Sequence, residues 1–426
     1  AGATERRLGA PPGRRPMPEA RTALVIGAGL AGASAARALA RQGLSVSVLE
    51  AGSAPAQAAS GNPAGLFHAV VHAEDGVHAQ LLRAAALRAA QVYRPLIESG
   101  RVPGAMHGLL RGASATSLGE MRALAEQQAL PPSYAEPLTR EQASALAACE
   151  LAGPAWYYPA GGWLQPAALV REWLGEPGIS LHVNTPVATL QREGDGRWSA
   201  LSSSGHSLAT ADLVVLAAAK QTPDLLAAHS DAAAWPWRRT RGQLTLLPPA
   251  AAASLPRPAL PLASGGYLIS LPEELGGGML CGATAQADDD EASLRWADHR
   301  TNLESIEALT GAPLPEGWLE QHSSQLNGRV AWRLAVDDRL PVVGPVPLAA
   351  ALLQGARRLE QPRHVPRVSG LYVLAALGSR GITWAPLLGE LLAAAIVGAP
   401  LPLPGSLLDA VDPGRFAARA LRRSAP

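Results

Sequence analysis

The chain has 426 residues, 48% of them hydrophobic and 17% charged, with a formal net charge of +1. Such a composition is globular, which excludes a disordered polymer, and its balance excludes a uniform field for a polyanion, so nucleic acid would need a local patch. Two cysteines, Cys149 and Cys281, exclude a disulfide framework, and no CxxC or Cys/His cluster points to zinc.

Residues 1–20 carry Pro11, Pro12, Pro16 and Pro18 with Arg6, Arg7, Arg14 and Arg15, show no periodicity, and read as a linker or tail. No charged-then-apolar signal segment opens the chain. Thr22–Ile26 is a short apolar β run, residues 30–42 form an Ala-rich helix stopping at Gly43, and Ser45–Leu49 alternates as a second strand closing on Glu50. Residues 76–99 are helical, with Pro95 kinking or ending the helix. Pro166 opens another helix that runs to Leu174. Residues 179–184, 187–192 and 198–203 read as strands, and 212–219 as an apolar strand of parallel type. From Trp235 the texture becomes Pro- and Gly-punctuated strands (242–247, 266–271, 278–283) and one helix over about 289–309, an antiparallel α+β insert. Residues 330–345 return to strand, and 371–377 form a buried strand leading into a final apolar helix. Its most apolar part, residues 387–397, is broken by Glu390 and falls short of the ~20 residues a bilayer span needs. The expectation is a soluble cytoplasmic protein with no membrane partner.

Gly27-x-Gly29-x-x-Gly32 joins the first strand to the first helix as a dinucleotide-binding turn. Gly27 makes the turn, Gly29 admits a pyrophosphate, Gly32 packs helix on strand, and the helix N-terminus supplies positive charge. Glu50, 18 residues beyond Gly32, is placed for ribose hydroxyls. An S-adenosylmethionine site shares such a turn but leaves the far end of the chain unexplained. There, Gly378-Ser379-Arg380-Gly381 opens the last helix, placed to stabilise the reduced flavin ring, or serves only as a generic cap. Ser60-Gly61-Asn62 forms a polar loop for the pyrophosphate and ring, or an ordinary surface loop. Neither cysteine falls in these segments, so the expected cofactor is FAD, held non-covalently.

Ala59-Ser-Gly-Asn62, Tyr158-Pro-Ala-Gly-Gly-Trp-Leu-Gln-Pro166, Arg241-Gly-Gln243, Arg339-Leu-Pro-Val-Val-Gly344 and Ala375-Ala-Leu-Gly-Ser-Arg-Gly381 with Ala385-Pro386 carry a resemblance. The chain resembles the D-amino-acid-oxidase-like FAD amine oxidases. More narrowly, it is similar to the C-terminal oxidoreductase domain of the bifunctional tRNA 5-methylaminomethyl-2-thiouridine biosynthesis proteins. The implied fold is α/β: a Rossmann-like FAD-binding domain of the D-amino-acid-oxidase/glutathione-reductase type with an inserted antiparallel α+β substrate domain. We assign 21–104, 161–230 and 331–426 to the cofactor domain and 105–160 and 231–330 to the substrate domain. The implied activity is removal of the carboxymethyl group from 5-carboxymethylaminomethyl(-2-thio)uridine at the tRNA wobble position, giving 5-aminomethyl(-2-thio)uridine. The implied partners are tRNA and a methyltransferase that uses S-adenosylmethionine. Alternatives are a small-molecule oxidase of glycine, sarcosine or a D-amino acid, and a non-catalytic flavin-bearing subunit.

Within that resemblance Arg333 takes the place of the substrate-carboxylate arginine, or pairs with Asp337 or Asp338. Arg380 is the second catalytic candidate, and Gln243 and Tyr267 are pocket candidates or sheet residues. Arg415, Arg419, Arg422 and Arg423 share a face if residues 413–423 are helical, a candidate tRNA contact. Arg238, Arg239 and Arg241, and Arg357, Arg358, Arg363 and Arg367, form two more clusters. His68 and His72, four apart without a carboxylate in register, are not expected to bind metal.

Overall fold

The computed structural model describes residues 14–113, 116–353 and 358–424. A six-stranded sheet runs in the order Val342–Pro347, Arg367–Ala375, Leu213–Leu216, Thr22–Ile26, Ser45–Leu49, Ile179–His182. Its pairs are parallel except the first, where Val342–Pro347 runs against Arg367–Ala375. Successive residues of a strand face opposite layers. Ala23, Val25, Val46 and Val48 pack with helices Leu30–Arg41, Val77–Glu98 and Gly381–Val397. Leu24, Ile26 and Leu49 pack with Trp198 and Leu190 of the three-stranded sheet Thr189–Arg192, Trp198–Leu201, Ser207–Ala211. With both faces covered, Leu213–Leu216 is buried throughout.

The final long helix, Gly381–Val397, is apolar nearly all round because it lies between the helices Leu30–Arg41 and Val77–Glu98. With the turn before it, it is long and apolar enough to cross a membrane, yet most of it is buried inside the fold. Glu390 breaks the run only to meet Arg88, 2.7 Å away.

A second sheet of nine strands faces the first. Its order is Gln286–Ala287, Trp237–Leu247, Met279–Gly282, Tyr267–Ser270, Leu262–Ala263, Leu109–Gly112, Ala155–Tyr158, Glu136–Leu138, and Asn327–Val336 joins it alongside Trp237–Leu247. The expected domain boundary at residue 331 therefore falls inside a strand. Asn327–Val336 pairs over its whole length with Trp237–Leu247, and Arg333 stands opposite Thr240. The helix expected over 289–309 starts only at Trp296. Ahead of it Arg241 draws in the carbonyls of Glu291 and Ser293, and Arg295 pairs with Asp289, which holds the segment as a loop.

Residues 14–20 of the expected linker are docked on the C-terminal helices. Arg14 meets Asp409 at 2.5 Å and the Met17 amide donates to the Ile396 carbonyl at 2.6 Å. Residues 1–13 lie outside the described residues.

Candidate active site

A cavity of about 360 Å³ lies between the two sheets. Its lower wall comes from the cofactor turn, the 60–68 loop and the Gly378–Gly381 turn; its upper wall comes from the nine-stranded sheet.

At the turn, Gly27 has φ +102° and its amide donates to Leu49 at 2.8 Å. A Cβ there would stand 2.7 Å from the Ala217 carbonyl oxygen, and one on Gly32 would stand 1.8 Å from that of Gly27. Only glycine allows strand, turn and helix to close so tightly. Gly29 lines the cavity beside Ser60, whose hydroxyl accepts the Leu30 amide at 3.0 Å. Glu50 closes the second strand with its carboxylate held by the amides of Ala28 and Gly52, both at 2.8 Å. Each oxygen keeps a lone pair for a hydroxyl.

Asn62 lines the cavity, and its Oδ1 is buried without a hydrogen-bond partner. A buried acceptor left unpaired costs about 1–3 kcal/mol, so it marks the place of an absent donor. Gly61 does not reach the cavity. A Cβ on it would meet Arg329 Nη2 at 2.7 Å, and Arg329 ties down the carbonyls of Gln57 and Ala58. Gly61 thus shapes the loop that carries Ser60 and Asn62. Gly378, Ser379, Arg380 and Gly381 all line the cavity, where the N-terminal end of the last helix adds to that of the first. A glycine cradle, an orphaned acceptor and two helix N-termini fit FAD; Gly27, Gly29, Ser60, Asn62 and Gly378–Gly381 would hold it.

On the upper wall, strand alternation decides which residues reach the cavity. In Trp237–Leu247, Gly242 and Leu244 face it, while Arg241, Gln243 and Thr245 are buried against helix Trp296–Thr310. Gln243 is therefore not a pocket residue: its carboxamide accepts the Arg295 amide at 2.8 Å and donates to the Arg295 carbonyl at 2.9 Å. Arg241 is wholly buried and meets Asp298 at 2.6 Å.

Arg333 lines the cavity and donates to the Thr284 carbonyl at 2.5 Å. Neither carboxylate considered as its partner takes it: Asp337 pairs with Arg238, and Asp338 with Arg415 and Arg419. Burial lowers the Arg333 pKa, and Tyr267, also at the cavity, opposes that shift. Burial pushes the Tyr267 phenol well up. Burial and then the nearby Arg111 lower Arg380 to about 10, and its Nη1 stands 3.4 Å from His68 Nε2.

Arg111 escaped the sequence reading, and His68 was weighed there only as a metal ligand. Arg111 projects from Leu109–Gly112, a strand whose place beside the cavity depends on pairing with Leu262–Ala263, about 150 residues onward. His68 is fully enclosed; burial first and Arg380 second lower its pKa to about 3. Its Nδ1 bonds the Ala69 carbonyl, so Nε2 is an unprotonated acceptor facing Arg380. His72 does not converge with it, and its ring packs at 5.5 Å from His78.

The arginine clusters are largely neutralised from within. Helix Gly414–Ser424 forms as expected, but Arg415 is buried with its Nε 2.9 Å from Asp338, and Arg419 reaches the same carboxylate at 2.5 Å. Arg415 is thus withdrawn from any phosphate, and the proposed four-arginine face does not exist as a set. Arg422 is exposed, and the Arg423 side chain lies outside the described residues. Arg239 pairs with Asp290, Arg363 with Asp409 and Arg367 with Asp412; Arg357 lies outside the described residues.

The chain is 44% identical over 402 residues to the tRNA 5-methylaminomethyl-2-thiouridine biosynthesis bifunctional protein MnmC of Methylibium petroleiphilum, covering 93% of this chain and 60% of that protein. It is 41% identical over 409 residues to the protein of the same name from Burkholderia thailandensis, covering 95% and 61%. The chain thus spans about 60% of the length of these relatives. Among solved structures, iminodiacetate oxidase from Chelativorans sp. BNC1 superposes with a TM-score of 0.66 at 22% identity, over 92% of this chain and 98% of the other. Glycine oxidase from Geobacillus kaustophilus gives 0.66 at 19%, with the same coverage. These two likenesses are of fold. The family model described as FAD dependent oxidoreductase matches residues 22–395, and the chain belongs to that family of FAD-dependent enzymes.

Proposed function

We propose that the chain removes the carboxymethyl group from 5-carboxymethylaminomethyl(-2-thio)uridine at the wobble position of tRNA, leaving 5-aminomethyl(-2-thio)uridine. The observation that carries this reading is the cavity's charge. Arg111, Arg333 and Arg380 line it, and none of its lining residues is Asp or Glu among the described residues. Such a site selects an anion, and an N-carboxymethyl amine presents its carboxylate next to the bond to be oxidised. The names of the relatives at 41–44% identity favour the tRNA nucleoside as the bearer of that group.

Arg333 binds the carboxylate with parallel N–H donors, which fixes the adjacent CH2 in one orientation. Arg333 and Arg380, with no Asp or Glu lining the cavity among the described residues, also disfavour the ammonium form of the substrate, so the amine enters neutral, with its lone pair available. His68, neutral and pinned at Nδ1, steadies Arg380 and contributes no charge of its own. FAD, when bound, supplies the two-electron acceptor for a hydride from the CH2 carbon. The substrate loses that hydride and the N–H proton to become an imine, and water divides the imine into the primary amine and glyoxylate. A methyltransferase using S-adenosylmethionine then acts on the amine.

A second reading, oxidation of a small anionic amine, draws on the internal pairing of the arginine clusters, which leaves little built phosphate-binding surface. Anaerobic mixing of FAD-loaded protein with tRNA bearing 5-carboxymethylaminomethyluridine separates the two. Flavin bleaching with formation of 5-aminomethyluridine, and none with glycine, sarcosine or iminodiacetate, supports the tRNA reaction. Bleaching by a small amine alone moves the protein to the second reading.

A further inference from the structure

The three arginines of the cavity come from three different elements. Arg333 stands on the Asn327–Val336 strand with Tyr267 as its charge-coupled neighbour. Arg380 opens the last helix, and Arg111 stands on the strand Leu109–Gly112 of the opposite wall; the nearby Arg111 adds to the lowering of the Arg380, His68 and His72 pKa values. One carboxylate bound at Arg333 leaves Arg111, on another strand, free for a second anion.

Arg111 differs from Arg380 in what holds it. Arg380 comes from the turn that opens the last helix, and His68 Nε2 lies at 3.4 Å from its guanidinium. Arg111 comes from the opposite wall, at the end of a strand whose neighbour Ala263 leads into the turn Ser264–Gly265–Gly266, where Gly265 is exposed. Its guanidinium has no hydrogen-bond or ion-pair partner among the described residues, and it is only partly buried. Arg111 is half-buried and lines the cavity beside Ser264, Gly265 and Gly266, so the exposed Gly265 puts it next to the cavity's open edge. The cofactor grip contains no part of this strand.

We propose that Arg111 is a substrate-binding residue for a second anion, a phosphodiester flanking the uridine whose base enters the cavity, while Arg333 takes the carboxymethyl group. This rests on the tRNA reading above. A nucleotide carries both anions at opposite ends: the modified C5 arm enters first, and the ribose phosphates stay at the rim. Arginine's planar fork suits phosphate oxygens, and its permanent charge needs no neighbouring acid to maintain it. A small amino acid has no group for this position, so Arg111 discriminates between the nucleotide and its small analogues.

The test compares Arg111→Ala with wild type, both FAD-loaded, by anaerobic flavin reduction. The substrates are an anticodon stem-loop carrying 5-carboxymethylaminomethyluridine and the corresponding free nucleoside. With the stem-loop, the half-saturating concentration rises about ten- to hundredfold while the limiting rate holds. The slope of log affinity against log salt falls by about 0.7, one single-strand phosphate contact. Nucleoside half-saturation stays within twofold, and Arg111→Lys, which keeps the charge but not the fork, recovers part of the loss. An unchanged salt slope overturns the proposal, whatever happens to rate, and so does an equal loss on stem-loop and nucleoside. The wild-type arm judges the underlying reading by itself: reduction by iminodiacetate or glycine, and none by the stem-loop, removes the tRNA substrate.

Discussion

Arg415 donates from Nε to Asp338 Oδ2 at 2.9 Å, closing the C-terminal helix onto the segment that follows the Arg333 strand, 77 residues earlier. Its Nη2 adds a bond to the Leu340 carbonyl at 3.1 Å, and its Nη1 one to Val411 at 3.0 Å. A cation so enclosed is structural. Arg415→Ala leaves Asp338 half-buried with only Arg419, and should cost about 3 kcal/mol in urea denaturation. Arg422→Ala, at an exposed position, should stay within about 0.5 kcal/mol. Equal midpoints for the two variants, with RNA retention lost only in Arg415→Ala, would return Arg415 to the tRNA face.

The cofactor half was legible because its signals are local. Gly27, Gly29, Gly32 and Glu50 lie within one strand–helix–strand unit, and Thr22–Ile26, Ser45–Leu49 and Pro166–Leu174 have the expected bounds. Arg333 and Arg380, expected through the resemblance, both line the cavity. Gln243 was misread because β alternation gives two faces, and only the packing of helix Trp296–Thr310 tells which one Gln243 takes. Arg111 was invisible for a related reason. Its strand reaches the cavity by pairing with residues far along the chain, and no local pattern encodes that partner. The arginine clusters were overrated because sequence spacing shows cations together but hides acids such as Asp298, Asp338 and Asp409 folded against them.

Gly32→Ala should empty the cofactor site. The new methyl group would sit 1.8 Å from a backbone oxygen in the turn itself, so the helix must move away from the strand and carry its N-terminus off the phosphates. Gly76→Ala is the control, with open space around its Cβ and φ −71°. The ratio of flavin to protein absorbance after gel filtration should fall at least tenfold in Gly32→Ala and stay unchanged in Gly76→Ala. Full flavin retention by Gly32→Ala would show that the turn tolerates what its geometry forbids.

Asn62 gives a prediction with opposite signs in two states. In the protein without flavin its Oδ1 is buried and unpaired, so Asn62→Leu, similar in size, removes a penalty and should leave apoprotein stability equal or higher by up to about 1 kcal/mol. In the holoprotein the same change removes an acceptor for a flavin donor, and FAD should dissociate about tenfold faster. Thermal melting with and without added FAD reads both. A variant less stable as apoprotein but unchanged in FAD release would make Asn62 a packing residue of its loop.

His68 sets a pH dependence whose direction is fixed by its burial. Folded, it titrates at about 3; released into the unfolded chain it returns to about 6.5. Between those values the unfolded chain carries the extra proton, so acid favours unfolding. The stabilisation from a neutral His68 is complete above about pH 6.5, falls by about 1.4 kcal/mol per unit below it, and is gone by about pH 3. His68→Gln removes this proton from the balance while keeping an acceptor for Arg380. Urea midpoints measured at about pH 7 and about pH 5 should converge in the variant by some 2 kcal/mol relative to wild type. His72 and His78 titrate in both proteins and cancel in the difference. Parallel pH profiles would mean that His68 accepts a proton in the folded state, which would put a third cation beside Arg380 and Arg111.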